Sequence, residues 1–235
     1  MRITDGQLVA FLGDSITEHL AAVSDWMETQ SDDLPPIGTQ VRVDRHEHRG
    51  WTELLAQRIQ LAYPERRVRY VNGGIAGDSS RRMLARMDAD ILGHRPQWLL
   101  LSAGVVDVRR TYQPDRQSEA VSIDEYAANL TMMVSKALDA GVQVILLEPT
   151  PHVRPVTGAH PEVTVQDINS RTRQYSSAMM RVARESKVDF IPLFDALLHT
   201  EQRLAHQASL YADEVHLNAR GDFLYSDLIY KYINS

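Results

Sequence analysis

A chain of 235 residues that is 43% hydrophobic and 24% charged has the size and composition of one α/β domain, unlike a disordered chain. Its formal net charge of −6 and its scattered basic residues disfavour nucleic acid as a partner. The absence of cysteine excludes disulfides and thiolate catalysis, and no apolar stretch approaches the roughly 20 residues of a membrane helix. Because the N-terminus lacks the cleavage site of a secretory signal, we expect a cytoplasmic protein, with one domain over residues 1–235.

Short apolar runs alternate with longer amphipathic stretches along the chain. In chain order, the expected strands are residues 8–12, 68–72, 98–102, 142–147 and 188–192. The expected helices are residues 51–63, 80–92, 123–140, 165–185 and 219–233. This alternation is typical of βαβ units, so it predicts a five-stranded parallel sheet covered by helices.

The helix at 123–140 has the clearest sequence signals at its two ends. Ser122 and Glu125 have the spacing of a capping box, and Gly141 can adopt the left-handed conformation that ends a helix. Residues 24–49 and 149–161 lack periodicity and are expected to be loops. The first of them is long enough to indicate either a functional or a disordered segment.

A serine follows the first expected strand, in the segment GDSIT at 13–17. In a doubly wound sheet, ligands bind beyond the carboxyl ends of the strands, where the amides of a following helical turn favour negative charge. Ser15 is therefore a candidate nucleophile. An isolated Gly-Asp-Ser is also compatible with a turn that caps a helix.

An aspartate and a histidine stand three positions apart before the last expected helix. In a loop, Asp213 can accept a hydrogen bond from one nitrogen of His216, which leaves the other nitrogen to take a proton from a serine. The alternative is a solvated turn in which Asn218 caps the helix. The pair and the serine together are a more specific signal than either alone.

These segments resemble the GDSL/SGNH hydrolase family. GDSIT at 13–17 is similar to its first block and DEVH at 213–216 to its last, and the segments between them follow the family order: NGGIAGDSS at 72–80, GVVD at 104–107 and LLEPTP at 146–151. The resemblance implies a flavodoxin-like three-layer α/β/α sandwich with a five-stranded parallel sheet. It also implies hydrolysis of acyl esters with no metal or organic cofactor, and it makes a homo-oligomer plausible.

The resemblance assigns roles to individual residues. It implies Ser15 as nucleophile, His216 as the proton-transfer group, Asp213 as the residue that orients it, and the amides of Ser15 and Gly77 as oxyanion donors. Val106, however, stands where the family has an asparagine whose side chain is a third donor. This difference leaves three possibilities: the enzyme is slow, another group such as Arg109 or a loop side chain substitutes, or hydrolysis is not the function of this chain.

The segments RGWTELL at 49–55 and DVRRTY at 107–112 are similar to the family branch of acetyl xylan esterases and other carbohydrate deacetylases. They suggest a polar cleft with aromatic walls, in which Arg110 also takes part. Each of these side chains could instead belong to ordinary packing or to a solvated face. The residues that we expect to bind substrate are Asp14, Trp51, Asp107, Arg109 and Tyr112.

The nine histidines do not indicate a metal site. His46 and His48 flank Glu47 in a loop, without the helical spacing that brings two imidazoles to one metal. His152 and His160 lie in the loop after the fourth expected strand, where they could contact substrate or lie on the surface.

The function predicted from these observations is a serine esterase acting on small acyl esters, above all acetyl esters, in some cases carried by a sugar. The alternative is a catalytically impaired protein of the same fold that binds carbohydrate. A nucleotide or flavin binder fits poorly, because the loop after the first strand lacks a glycine-rich phosphate cradle.

Overall fold

The computed structural model describes residues 1–18, 50–204 and 208–235. Five strands form one sheet, and they are β1 (Leu8–Gly13), β2 (Arg69–Gly74), β3 (Trp98–Ser102), β4 (Gln143–Leu147) and β5 (Asp189–Ile191). All neighbouring strands are parallel, in the order β2-β1-β3-β4-β5. The five predicted strands are confirmed, with small differences at their ends.

Eight α-helices accompany the sheet in the described ranges. They are α1 (Ser15–Glu18), α2 (Trp51–Ala62), α3 (Ser80–Asp90), α4 (Val105–Arg110), α5 (Ile123–Asp139), α6 (Val165–Ser186), α7 (Phe194–Leu204) and α8 (Ala219–Asn234). Short 3-10 helices occupy Leu92–His94 and Pro114–Glu119. The five predicted helices are α2, α3, α5, α6 and α8, while α1, α4 and α7 were not predicted.

The helices cover both faces of the sheet, which gives three layers. Side chains that alternate along β1 enter two separate apolar clusters: Ala10 and Leu12 pack with α3, α5 and α6, whereas Phe11 packs with α2 and α8. Every residue of β1 is buried, as expected of a central parallel strand covered on both sides. The flavodoxin-like sandwich predicted from the resemblance is therefore confirmed.

The ends of α5 follow the sequence prediction only in part. The Ser122 side chain accepts a hydrogen bond from the Glu125 amide at 3.2 Å, as in a capping box. The reciprocal half is replaced, because the Glu125 carboxylate binds the Arg81 guanidinium at 2.5 and 2.8 Å. At the other end, Gly141 has a φ of 76°, so the predicted left-handed end is confirmed.

Of the two predicted loops, 149–161 has neither helix nor strand, as expected. The other, 24–49, lies outside the described residues, as do His46, Glu47 and His48. Across residues 1–18, 50–204 and 208–235, no helix combines the length and the apolar character needed to cross a membrane.

Candidate active site

Ser15 follows the carboxyl end of β1 as the first residue of α1, so it lies where the carboxyl ends of the parallel strands meet. The turn before it is closed by Asp14, whose side chain accepts a hydrogen bond from the Ile16 amide at 3.0 Å. The Asp14 carbonyl accepts hydrogen bonds from the amides of Thr17 and Glu18, both at 3.0 Å. A short strand-to-helix turn therefore fixes the backbone on both sides of the serine.

Two glycines allow this turn to pack tightly against the sheet. A Cβ on Gly13 would lie 2.2 Å from the Thr17 hydroxyl, and a Cβ on Gly74 would lie 2.4 Å from the Glu18 amide nitrogen. Asn72 adds a hydrogen bond from its side-chain amide to the Thr17 carbonyl at 2.8 Å. The serine turn thus lies directly on the end of β2.

A partly buried arginine joins the ends of the same two strands. The Arg86 guanidinium donates to the Gly73 carbonyl at 2.6 Å and to the Gly13 carbonyl at 3.3 Å. Its Nε forms an ion pair with the buried Asp78 carboxylate at 2.6 Å. Arg86 therefore links the backbone of Gly13, two positions before Ser15, to strand β2.

The loop before α8 carries His216 to the serine. The Nε2 atom of His216 lies 2.7 Å from the Ser15 hydroxyl oxygen, and its Nδ1 lies 2.6 Å from the Asp213 carboxylate. The second carboxylate oxygen of Asp213 accepts hydrogen bonds from the Val215 and His216 amides at 2.9 and 2.8 Å. The structure thus brings Ser15 to the Asp213–His216 pair, although Ser15 and His216 are 201 positions apart in the sequence.

The carboxylate of Asp213 is stabilised in its charged form. Partial burial acts to raise its pKa, but hydrogen bonds from the Val215 and His216 amides and from the His216 ring outweigh burial, so the pKa lies below its ordinary value. Asn218 meanwhile caps α8 by accepting from the Arg220 and Gly221 amides. The helix cap by Asn218, which the sequence offered as the alternative, and the contact between Asp213 and His216 are thus both present.

On the other side of Ser15, the chain turns at Gly77, which has a φ of 77°. Among the described residues, the amides of Ser15 and Gly77 have no hydrogen-bond acceptor. Val106, in the first turn of α4, lines the same cavity of about 230 Å³ as Ser15 and Gly77. The cavity is lined by Ser15, Ala76, Gly77, Val106, Arg109, Arg110, Gln113, Arg116 and His216.

The arginines of this cavity differ in how they are held. Arg109 donates to the Glu214 carboxylate at 2.9 Å. Arg110, whose side chain is only 6% exposed, donates from Nε to Glu119 at 3.1 Å and from Nη1 to Gln113 at 2.5 Å. Burial and the neighbouring arginine charges lower the pKa of Arg110. Of the predicted substrate-binding residues, Arg109 therefore lines the cavity.

Two of the predicted substrate-binding residues lie beneath the site. Burial raises the pKa of Asp14 to about 6 and that of Asp107 to about 6. Asp107 is fully buried and accepts hydrogen bonds from the Ser80 amide at 3.1 Å and the Ser80 hydroxyl at 2.6 Å. Both carboxylates hold backbone turns, and neither lines the cavity, which corrects the expectation that they contact substrate.

The expectation of aromatic walls is also corrected. Trp51 is 0% exposed, and its ring packs against Phe11 and Tyr225 with centroids 5.3 and 5.1 Å apart. Tyr112 donates its hydroxyl to the Asp167 carbonyl at 3.0 Å and packs against the core. Because both rings are used to bury apolar surface, neither of them forms a wall of the cavity.

Sequence reasoning gave no definite role to His152, which lies close to the site. It is 0% exposed, and within the described ranges neither ring nitrogen has a hydrogen-bond partner. Burial lowers its pKa to about 3, so the ring is neutral at pH 7. His160, by contrast, is exposed on the same loop, and the described part of the chain holds no cluster of His, Asp and Glu that fits a metal.

A serine hydroxyl beside an imidazole that is held by a carboxylate is the arrangement of serine hydrolases. The family model of the GDSL-like lipase/acylhydrolase family matches residues 11–222. The chain belongs to this family and is a carboxylic ester hydrolase of the GDSL/SGNH type.

Known proteins with similar sequences and folds agree with this assignment. An acetylxylan esterase from Geobacillus stearothermophilus is 28% identical over 229 residues, which are 95% of this chain and 92% of that protein. The crystal structure of an acetylxylan esterase from the same organism superposes with a TM-score of 0.77 at 24% identity, covering 100% of this chain and 97% of the other. An α/β hydrolase from the metagenome of Lake Arreo, Spain, has a TM-score of 0.74 at 24% identity, with coverage of 100% and 98%.

Proposed function

We propose that this protein is a serine esterase that removes a small acyl group, first of all acetyl, from a carbohydrate ester. The observation that carries the proposal is the continuous chain of contacts from the Ser15 hydroxyl to His216 at 2.7 Å and from His216 to Asp213 at 2.6 Å. Such a chain allows a serine, which is a weak nucleophile on its own, to attack an ester at neutral pH.

In the first half of the reaction, the Ser15 oxygen forms a bond to the ester carbonyl carbon while His216 Nε2 takes the hydroxyl proton. The carbonyl π electrons move to its oxygen, which becomes the oxyanion. When the carbonyl re-forms, the bond to the alcohol oxygen breaks and His216 gives that oxygen its proton. Asp213 fixes the imidazole tautomer and stabilises the imidazolium, and the product is an acyl-enzyme.

In the second half, water takes the place of the alcohol. His216 removes a proton from the water as its oxygen attacks the acyl carbon, and the Ser15 oxygen leaves with that proton. Ester and water are thus converted to alcohol and acid, and the enzyme returns to its first state. No redox or metal step is needed to balance the reaction.

The amides of Ser15 and Gly77 are suited to hold the oxyanion. Both N–H groups are without an acceptor among the described residues, and both residues line the cavity beside the serine. The positive φ of Gly77 turns its backbone without the strain that a larger residue would suffer. Donors that are already in place when charge develops contribute strongly to catalysis.

The acetylxylan esterase relatives support the substrate class. Solved variants of the Geobacillus stearothermophilus enzyme that are described as catalytic mutants replace a serine, an aspartate and a histidine by alanine. The serine is at position 15 of that enzyme, and the aspartate and histidine stand three positions apart, as Asp213 and His216 do. The cavity contains polar side chains, three arginines and Gln113 among them, that suit a leaving group with several hydroxyls.

Replacing Ser15 by alanine tests the proposal. We expect Ser15→Ala to lower kcat for p-nitrophenyl acetate by at least about a thousandfold, because no nucleophile remains. Thermal unfolding should be nearly unchanged. The matched control is Ser135→Ala, a change on the exposed face of α5, which should keep the full rate. Hydrolysis by Ser15→Ala at the wild-type rate would exclude Ser15 as nucleophile.

A panel of acetyl, butyryl and octanoyl esters, measured beside acetylated xylo-oligosaccharides, tests the substrate class. The proposal expects the acetyl esters and the acetylated sugars to give the highest kcat/KM. A clear preference for octanoyl esters would overturn the assignment of acyl length and leave the nucleophile assignment intact.

The second candidate is a carbohydrate-binding protein with little or no turnover, and Val106 is the observation that favours it, because valine cannot donate to an oxyanion. Labelling with a fluorophosphonate probe separates the two. Modification of Ser15 indicates an active nucleophile, whereas binding of xylo-oligosaccharide without labelling supports the binding protein.

A further inference from the structure

The cavity wall at residue 106 carries no side-chain hydrogen-bond donor. Val106 lines the cavity from the first turn of α4 and is only 5% exposed. Its side chain therefore forms part of this wall without offering a hydrogen bond. The family resemblance implies an asparagine at this position. A replacement donor must therefore come from another residue that borders Gly77.

Arg110 lies one helical turn after Val106 and lines the same cavity. A Cβ built on Gly77 would have the Nη2 atom of Arg110 as its nearest neighbour, at 3.6 Å. The Nε and Nη1 atoms are held by Glu119 and Gln113, while Nη2 has no acceptor among the described residues. The Nη2 atom of Arg110, which has no acceptor, thus lies next to Gly77, whose amide is a proposed oxyanion donor.

The other two arginines of the cavity are less suited to this role. Arg109 Nη2 is bound to Glu214 at 2.9 Å; its buried Nε has no acceptor among the described residues, but no atom of Arg109 lies within 4 Å of a Cβ built on Gly77. Arg116 uses both Nε and Nη2 on Glu119, at 2.8 and 2.7 Å. Only Arg110, of these three, combines a buried and anchored guanidinium with an open N–H beside Gly77.

We propose that Arg110 donates from Nη2 to the oxyanion and so fills the donor position that Val106 leaves empty. The inference rests on the proposed esterase function. A fixed positive charge stabilises the oxyanion more than the neutral ester carbonyl, so Arg110 acts on the transition state rather than on substrate binding. As a donor to the reacting oxygen, Arg110 is a catalytic residue in this proposal.

The test is a double-mutant cycle with Arg110→Met and Val106→Asn, measured with p-nitrophenyl acetate. Loss of one oxyanion donor lowers turnover about a hundredfold to a thousandfold, so we expect Arg110→Met to lower kcat by about a hundredfold, with KM changed less than about threefold. Val106→Asn alone should raise kcat by less than about threefold, because Arg110 already supplies the third oxyanion donor. In the Arg110→Met background, the same change should restore kcat about tenfold or more.

The matched control is Arg81→Met, which removes one positive charge from the adjoining cavity and not from the cavity that contains Ser15. It should keep kcat within about threefold. A similar loss in Arg81→Met and Arg110→Met would mean that the general positive field matters, and it would overturn the assignment to Arg110. A purely structural role of Arg110 would give no rescue by Val106→Asn.

The outcome is decided even where Arg110→Met does not fold, because Val106→Asn alone is informative. A gain of a hundredfold in that single variant would show an empty donor position and overturn the proposal. Fluorophosphonate labelling of wild-type Ser15 separates this inference from the esterase proposal. A chain that labels and loses nothing on Arg110→Met refutes only the inference, whereas a chain that neither labels nor hydrolyses esters refutes the proposed function itself.

Discussion

The two sides of the Ser15 hydroxyl are built in different ways. On the proton-transfer side, His216 and Asp213 already make their hydrogen bonds to each other and to the serine. On the oxyanion side, the Gly77 amide and the Arg110 Nη2 have no acceptor among the described residues. The hydrogen bonds of the first side are already made in the free protein, whereas in the proposed mechanism the donors of the second side gain an acceptor only when the oxyanion forms. Experiments that disturb one side at a time can therefore separate their contributions.

The largest effect short of removing the nucleophile is expected for Asp213→Asn. Asparagine keeps the shape of the side chain but presents an N–H or a neutral oxygen to His216 Nδ1. The imidazole then lacks the neighbouring negative charge that stabilises the imidazolium and fixes the tautomer that acts as a base. In serine hydrolases this change lowers kcat by about ten-thousandfold. We expect a comparable loss in ester hydrolysis, measured beside Asp195→Asn, an exposed carboxylate of α7 bound to Arg173.

The control should keep its full rate. If Asp213→Asn also retained full activity, with unchanged thermal unfolding, the proton-transfer side would not depend on the carboxylate. The proposed role of Asp213 would then be wrong, although Ser15 and His216 could still act as a pair.

Asp14 is expected to make stability depend on pH. Burial raises its pKa from 3.8 to about 6 in the folded chain, so the folded state binds a proton more tightly than the unfolded state. The stability contributed by this proton is fully present below pH 3.8 and is lost as the pH rises through about 6. A shift of this size corresponds to a change of up to about 3 kcal/mol in the free energy of unfolding.

Asp14→Asn cannot ionise and should lose this dependence. We expect the free energy of unfolding of the variant, relative to wild type, to increase between pH 4 and pH 7, as measured by urea unfolding. Part of the wild-type slope will remain in the variant, because burial also raises the pKa of Asp107 to about 6. A difference that is constant across this range would mean that Asp14 is charged throughout in the folded protein.

The smallest effect is expected for Gly77→Ala. An alanine at a φ of 77° costs about 1 to 2 kcal/mol, and its methyl group would be 3.6 Å from Arg110 Nη2 without overlap. We expect a modest loss of stability together with a decrease of about tenfold in kcat, because the amide moves with the strained backbone. Gly141→Ala is a matched control, since Gly141 has a φ of 76° with nothing within 4 Å of a Cβ.

The control should show a similar loss of stability by thermal unfolding and no loss of kcat. An equal decrease of kcat in both variants would show that general destabilisation, and not the position of the Gly77 amide, controls the rate.

The central strands β1, β3 and β4 could be predicted because each is a short, mostly apolar run that is buried on both faces of the sheet. The helices that were missed have weaker signals. The helix α4 has only six residues, and in α7 the fully buried side chains are only Phe194 and Leu197. The Ser122 cap was predicted, but Glu125 turned to Arg81, 44 positions away, and local spacing does not report such a partner.

The candidate site could be predicted where its residues lie close together in sequence or follow a strand. Asp213 and His216 are separated by three positions, and Ser15 comes directly after β1. The cavity walls could not be predicted, because whether Trp51 faces a cleft or the core depends on Phe11 and Tyr225 in other elements. Residue type alone does not contain that information.

The Arg86 guanidinium, which bonds the carbonyls of Gly13 and Gly73, has a consequence for how the enzyme acquires activity. It joins backbone atoms that are 60 positions apart in the chain, and one of them, the Gly13 carbonyl, is two positions before the reactive serine. During refolding, the serine can be placed correctly only after β1 and β2 have paired, and such long-range pairing is a slow event in protein folding. Recovery of esterase activity should therefore lag behind the formation of helices and report the moment at which the centre of the sheet closes.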